Sequence, residues 1–125
     1  MSVFKSRHPF ASRRAEFERI NQRFPGRIPI IVEKASRSVD APPLQKQKFL
    51  APEAMTVGQF IYVIRRSMNL PPEKALFIFC GDILPTTATL VRELYHDHKD
   101  VDGFLYFCYS SESTFGGVCE RQSLS

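Results

Sequence analysis

Few residues in this chain of 125 could do chemistry by type and spacing. Cys80 and Cys108 sit inside apolar runs, ALFIFC and FLYFCY. A reactive thiolate needs a polar, accessible, electropositive site, whereas a cysteine among apolar neighbours packs as a small hydrophobe. Both are therefore expected to be structural. Cys119 lies in a polar stretch, but nothing in the sequence sets a base beside it. His96-Asp97-His98 offers two imidazoles at i, i+2 without a third ligand or any common zinc spacing, so a solvated turn is expected. Asp100 and Asp102 flank Val101 before Gly103 and read as loop acids with no apolar pocket to raise either pKa. Phosphate-binding glycine loops, dinucleotide fingerprints and nucleophile elbows do not occur. The remaining feature is Phe115-Gly116-Gly117, after the last apolar run. A glycine lets a narrow cleft approach its carbonyl, as cutting and thioester activation at that carbonyl would require. A flexible terminus would carry the same residues for no such reason.

The elements that would carry these residues follow from periodicity. Residues 3–8 give a weak helical turn limited by Pro9. A helix capped by Ser12 is expected to run to about Phe24, where Pro25-Gly26 ends it, with Phe17, Ile20 and Phe24 as its apolar stripe. Ile28 to Val32 reads as a strand, and Pro29 argues for an edge position or a strand start. Residues 35–43 read as a loop, and Lys46 to Pro52 as a short strand whose buried face is ambiguous, since Phe49, Leu50 and Ala51 are consecutive. Thr56 and Gln59 form a capping box, followed by Val57, Phe60, Ile61, Ile64 and Met68 at helical spacing up to Asn69, with Pro71-Pro72 as the stop. Ala75 to Cys80 reads as a buried strand, Leu90 to Tyr95 as a short helix, and Phe104 to Tyr109 as a strand central in a sheet. One helix crossing a four-stranded mixed sheet predicts an α+β, ubiquitin-like β-grasp with additional N-terminal helices.

Composition fits one domain: 43% of the residues are hydrophobic and 24% charged. No apolar run approaches the ~20 residues that span a bilayer, and the basic N-terminus lacks the apolar core of a secretory signal. Three cysteines without framework spacing point to a reducing, cytosolic setting. The net charge of +4 is uneven. Residues 1–27 hold seven Lys/Arg against Glu16 and Glu18, a net of +5, and the remainder is near neutral at −1. Such a basic segment suits acidic peptides, anionic headgroups or acidic protein tails, or is a solvated helix face. Nucleic acid is not expected, because basic residues interleaved with stacking aromatics are missing.

Several segments together resemble one family. They are HPF at 8–10, RR at 13–14, FPGRIPIIVEKA at 24–35, KFLAP at 48–52, TVGQFIYVIRR at 56–66, ALFIF at 75–79, LYHDH at 94–98, FLYFCYSSES at 104–113 and Phe115-Gly116. Over residues 8 to 116 the chain resembles the autophagy-related protein 8 family of ubiquitin-like modifiers, with its light-chain-3 and GABA-receptor-associated-protein relatives. The resemblance implies four regions. Residues 1–27 form a basic helical extension packed on the domain, 28–110 the β-grasp core, 111–116 a flexible arm, and 117–125 a propeptide removed on processing. It implies a non-enzymatic modifier that needs no cofactor. A processing cysteine protease cuts after Gly116. Activating and conjugating enzymes then carry the glycine, which ends as an amide on phosphatidylethanolamine of autophagosomal membranes. The protein would be cytoplasmic before lipidation and on the autophagosome membrane after it.

The resemblance further implies docking of cargo-receptor peptides with an aromatic-x-x-aliphatic motif, added as a strand along residues 46–52. By position, Glu16, Ile20, Pro29, Lys48, Leu50 and Phe104 form the aromatic pocket. Phe49, Ala51, Pro52, Met55, Phe60, Val63 and Ile64 form the aliphatic pocket. Arg27 and Lys46, with Lys48, draw acidic flanking residues. Tubulin is a further implied partner. Ser67 and Gln47 stand where many relatives carry basic residues, and the loop at 36–43 differs in length. The Gly116-Gly117 pair leaves two candidate termini, of which Gly116 follows the aromatic residue. The competing readings are a non-conjugated microtubule- or scaffold-binding adaptor, conjugation to protein lysines through Gly117, and, more distantly, an enzyme using Cys119.

Overall fold

The computed structural model describes residues 2–35 and 41–112. Its elements in chain order are α1 Val3–Arg7, α2 Phe10–Arg23, β1 Arg27–Lys34, β2 Lys48–Pro52, α3 Val57–Ser67, β3 Phe77–Phe79, α4 Val91–His98 and β4 Leu105–Ser110. The strands form one sheet in the order β2-β1-β4-β3. β1 and β4 are its parallel centre, and both outer pairs are antiparallel. This is the expected α+β plan of one helix crossing a four-stranded mixed sheet, with two further helices at the N-terminus.

Alternation sorts the strand residues onto two faces. Ile28, Ile30, Val32, Phe49, Ala51, Leu105, Phe107 and Tyr109 turn toward α3 and form the main core with Val57, Phe60 and Ile64. Phe60 sits edge-on to Phe49 at 5.7 Å and to Phe107 at 5.4 Å, centroid to centroid. On the opposite face Ile31, Phe104 and Tyr106 pack with Phe4 of α1 and with Phe17 and Ile20 of α2. The ambiguity at Phe49-Leu50-Ala51 resolves: Phe49 and Ala51 enter the main core, and half-buried Leu50 lies on the α2 face.

Pro29 is neither at an edge nor at the strand's first residue, because β1 lies between β2 and β4. Val32 N–H donates to Gln47 C=O and Ala35 N–H to Tyr109 C=O. Even-numbered residues of β1 therefore turn their backbone to β2, and odd-numbered ones to β4. The missing N–H of Pro29 falls on the β4 side, one residue before the Ile30↔Leu105 pairing begins, where no ladder bond is lost.

α2 starts at Phe10 with Pro9 as N-cap, not at Ser12. Proline suits the helix start, since the first turn's N–H groups lack intrahelical partners anyway. At α3 the capping box forms as expected: Gln59 N–H donates to Thr56 Oγ1 at 3.1 Å, and Thr56 N–H to Gln59 Oε1 at 2.9 Å. Its end comes at Ser67, before the prolines. Asn69 takes a left-handed φ of 58°, Leu70 N–H reaches Arg65 C=O and Asn69 N–H reaches Arg66 C=O, which together make a Schellman cap. α4 extends to His98, so His96-Asp97-His98 is a helical last turn rather than a loop.

Candidate functional site

β2 is an edge strand. The pairs Val32–Gln47, Ile30–Phe49 and Ile28–Ala51 share one hydrogen-bonding phase, so Phe49 and Ala51 spend their backbone groups on β1. Lys48 and Leu50 fall in the other phase and turn their N–H and C=O groups outward. An outward row of such groups is a template for an added strand.

A seam runs along one flank of that edge, between α2 and β2. Pro29 pairs with Leu50 and Ile31 with Lys48, so Pro29, Lys48 and Leu50 share the α2 face. Pro29 and Phe104 are buried, and Ile20 and Leu50 are half-buried. Phe17 meets Phe104 edge-on at 6.3 Å. Glu16 reaches across the seam to pair with Lys48. The six residues expected in an aromatic pocket thus line or underlie one seam. Arg27 and Lys46 are exposed at the two ends of the β1–β2 pair, with Lys46 Nζ 5.0 Å from the Phe49 ring centroid.

The other flank is an open groove of about 790 Å³ whose lining includes Pro52, Met55, Val63, Gln59, Tyr62 and Thr87. Pro52, Met55 and Val63 are the expected aliphatic-pocket residues that reach it. Phe49, Ala51, Phe60 and Ile64 lie beneath, in the main core. A smaller groove of about 340 Å³ continues from Tyr62 and Val63 to Arg66 and Ser67.

The seam's shape depends on a polar clamp that periodicity and composition did not single out. Asp102, read from sequence as a loop acid, has no exposed side-chain surface. Its Oδ2 accepts from Arg13 Nε at 2.7 Å and Tyr106 OH at 2.6 Å, and its Oδ1 from Phe104 N–H at 2.9 Å. Arg13 also donates to His8 C=O at 2.6 Å. Lys5 pairs with Asp100 at 2.5 Å, and Glu33 accepts from Ser2 Oγ and Phe4 N–H. Burial, with the hydrogen bond to Asp102, drives the Tyr106 pKa upward. Burial alone would raise Asp100, but hydrogen bonds from Lys5 and from Asp102 N–H, with the Lys5 charge, bring it below its ordinary value. A signal was present in the sequence: Arg13 stands one turn before Phe17 on the buried stripe of α2, and Asp102-Gly103 is an Asx-turn pair.

Cys80 is a buried free thiol whose pKa burial pushes up to about 12, in keeping with a structural role. Cys108 is half-buried and packs with Phe77 against Ala35 and Phe79, as expected of a structural cysteine. Among the described residues, no group of three or more His, Cys, Asp or Glu could hold a metal ion, and no helix is long and apolar enough to cross a membrane. Gly116, Gly117 and Cys119 lie outside the described residues.

A family model described as "Autophagy protein Atg8 ubiquitin like" matches residues 12–116. The chain belongs to the Atg8 family. Autophagy-related protein 8 of Candida glabrata is 57% identical over 115 residues, covering 92% of this chain and 97% of that one. That of Saccharomyces cerevisiae strain YJM789 is 58% identical over the same length and shares. Among solved structures, Trypanosoma brucei ATG8 superposes with a TM-score of 0.85 at 41% identity, covering 93% of this chain and 99% of that chain. Plasmodium falciparum Atg8, in complex with a Plasmodium falciparum Atg3 peptide, gives 0.81 at 38% identity, with 90% and 98% covered. The fold of this Atg8-family chain is thus the ubiquitin-like one inferred from its element order.

Proposed function

We propose that this chain is a lipid-conjugated autophagy modifier and peptide-docking adaptor, not an enzyme. In this reading a cysteine protease cuts after Gly116, removing residues 117–125. Activating and conjugating enzymes pass the new terminus along as a thioester, and it ends as an amide on phosphatidylethanolamine. One acyl chain holds a protein to a bilayer only marginally, while the two of a phospholipid hold it stably, at ~0.8 kcal/mol per buried CH₂. The protein then moves from the cytoplasm to autophagosomal membranes and recruits cargo receptors there.

The observation that carries the docking half is the outward backbone of Lys48 and Leu50 between an apolar seam and an open groove. A strand added there has its backbone satisfied, one side chain placed over Ile20, Leu50 and Phe104, and another over Pro52, Met55 and Val63. The Plasmodium falciparum Atg8 structure with an Atg3 peptide supports a conjugating-enzyme partner of the same kind.

Mass spectrometry of the C-terminus of the cellular protein tests the conjugation half. The expected species ends at Gly116 and carries phosphatidylethanolamine, and a Gly116→Ala variant stays unlipidated. A terminus at Gly117 bonded to protein lysines, or an untrimmed lipid-free chain throughout starvation, overturns it.

A further inference from the structure

The α2–β2 seam is bridged in this structure. Glu16 Oε2 accepts from Lys48 Nζ across it. Glu16 stands one helical turn before Ile20, and Lys48 two residues before Leu50 on the same strand face. The ion pair is therefore the rung beside the apolar rung that an aromatic side chain would occupy. Lys48 Nζ also lies 5.9 Å from the Phe4 ring centroid, over the apolar floor. Lys48 keeps 48% and Glu16 24% of the side-chain surface exposed. A pair this exposed is weak and screened by salt, so it can exchange partners.

We infer that Glu16 is an internal competitor that latches the seam shut. It holds on Lys48 the position that an acidic residue ahead of a peptide's aromatic residue would take. An acid-flanked peptide opens the seam by exchange: its carboxylate replaces Glu16 on Lys48, and Glu16 is left in solvent. A peptide without that acid must part the pair with nothing in return. The inference rests on the docking reading above and assigns Glu16 an opposing role within it.

The test uses the full chain and two synthetic peptides, one with Asp-Asp before Phe-x-x-Leu and its twin with Asn-Asn. Phenylalanine is chosen because it has no ring N–H that Glu16 could accept. Glu16→Gln is expected to bind both peptides about two- to fivefold more tightly than the wild type, the range set by exposed ion pairs. On a Lys48→Met background the same change is expected to shift affinity for the Asn-Asn twin by less than about twofold. Salt supplies a readout that altered packing would not move. With the Asp-Asp peptide, Glu16→Gln forms an ion pair without first breaking one, so its affinity falls more steeply with ionic strength than that of the wild type. Equal or weaker binding by Glu16→Gln, with the wild type still binding, overturns the latch and leaves the docking reading standing. Failure of both proteins to bind either peptide, with folded circular-dichroism spectra, overturns the docking reading and the latch together.

Discussion

Asp102 is the residue whose surroundings contradict its composition-based reading most. A carboxylate with no exposed side-chain surface is tolerable here because three donors, Arg13 Nε, Tyr106 OH and Phe104 N–H, converge on it. Asp102→Ala leaves Arg13 buried without its anion and Phe104 N–H without an acceptor. The expected loss is about 3–5 kcal/mol of unfolding free energy, read by denaturant titration. Asp102 also ties α2 to the aromatic floor of the seam, so the same variant is expected to weaken peptide binding. Gly103 beside it has φ of 98°, and a Cβ there would sit deep inside van der Waals contact with the Phe17 ring. Gly103→Ala is expected to cost roughly 2–4 kcal/mol, from left-handed backbone strain plus overpacking, again by denaturant titration. Cys80, its pKa raised to about 12 by burial, is expected to resist thiol reagents at neutral pH until the chain unfolds. Rapid labelling of the native protein at Cys80 would contradict this.

At the scale of elements, β2 does two jobs with alternating residues. Phe49 and Ala51 anchor it to the main core, which frees Leu50 to shape the seam and leaves the Lys48 and Leu50 backbone facing out. Leu50→Ala is therefore expected to separate function from folding. Being half-buried, Leu50 should cost only about 1–2 kcal/mol of stability when truncated, whereas affinity for an aromatic-x-x-aliphatic peptide should fall about tenfold or more. The chain contains no tryptophan, so a Trp-containing peptide can report this by its own fluorescence. α3 is held at both ends by local chemistry, the Thr56–Gln59 box and the left-handed Asn69. Thr56→Ala is expected to cost about 1 kcal/mol, with Tm falling accordingly.

For the whole molecule, the N-terminal helices are fastened to the sheet by charge as well as by Phe4, Phe17 and Ile20. The Lys5–Asp100 pair contributes with a definite sign. Asp100 titrates below its ordinary value of 3.8 when folded, so its contribution is complete above that value. It is lost as pH falls through the folded value. Lys5→Met should therefore lower Tm at neutral pH, and the gap from wild type should narrow as pH drops below 3.8. A gap constant with pH would mean that Asp100 owes nothing to Lys5. Loosening this layer exposes Ile31, Phe104 and Tyr106, so acid should weaken the seam before it unfolds the main core.

Element types and their order were legible in the amino-acid sequence, because burying one face imposes a period. Val57, Phe60 and Ile64 could only be one helix face. The aromatic run at 104–109 read as a buried strand from its length and aromatic content. The family segments, spread over most of the chain, pointed to the Atg8 group for the same reason. Each of those residues answers to a local or short-range demand. What only the tertiary structure decided was which partners distant residues meet. Pro29 could enter a central strand because β4 starts one residue too late to need its N–H. Leu50 turned to the seam once the β1–β2 register was set. Arg13 and Asp102, 89 residues apart, became one buried pair. A charged residue on a helix stripe or a turn looks solvated in one dimension. Its burial becomes favourable only when the opposite charge arrives across the fold, and no spacing along the chain encodes that meeting.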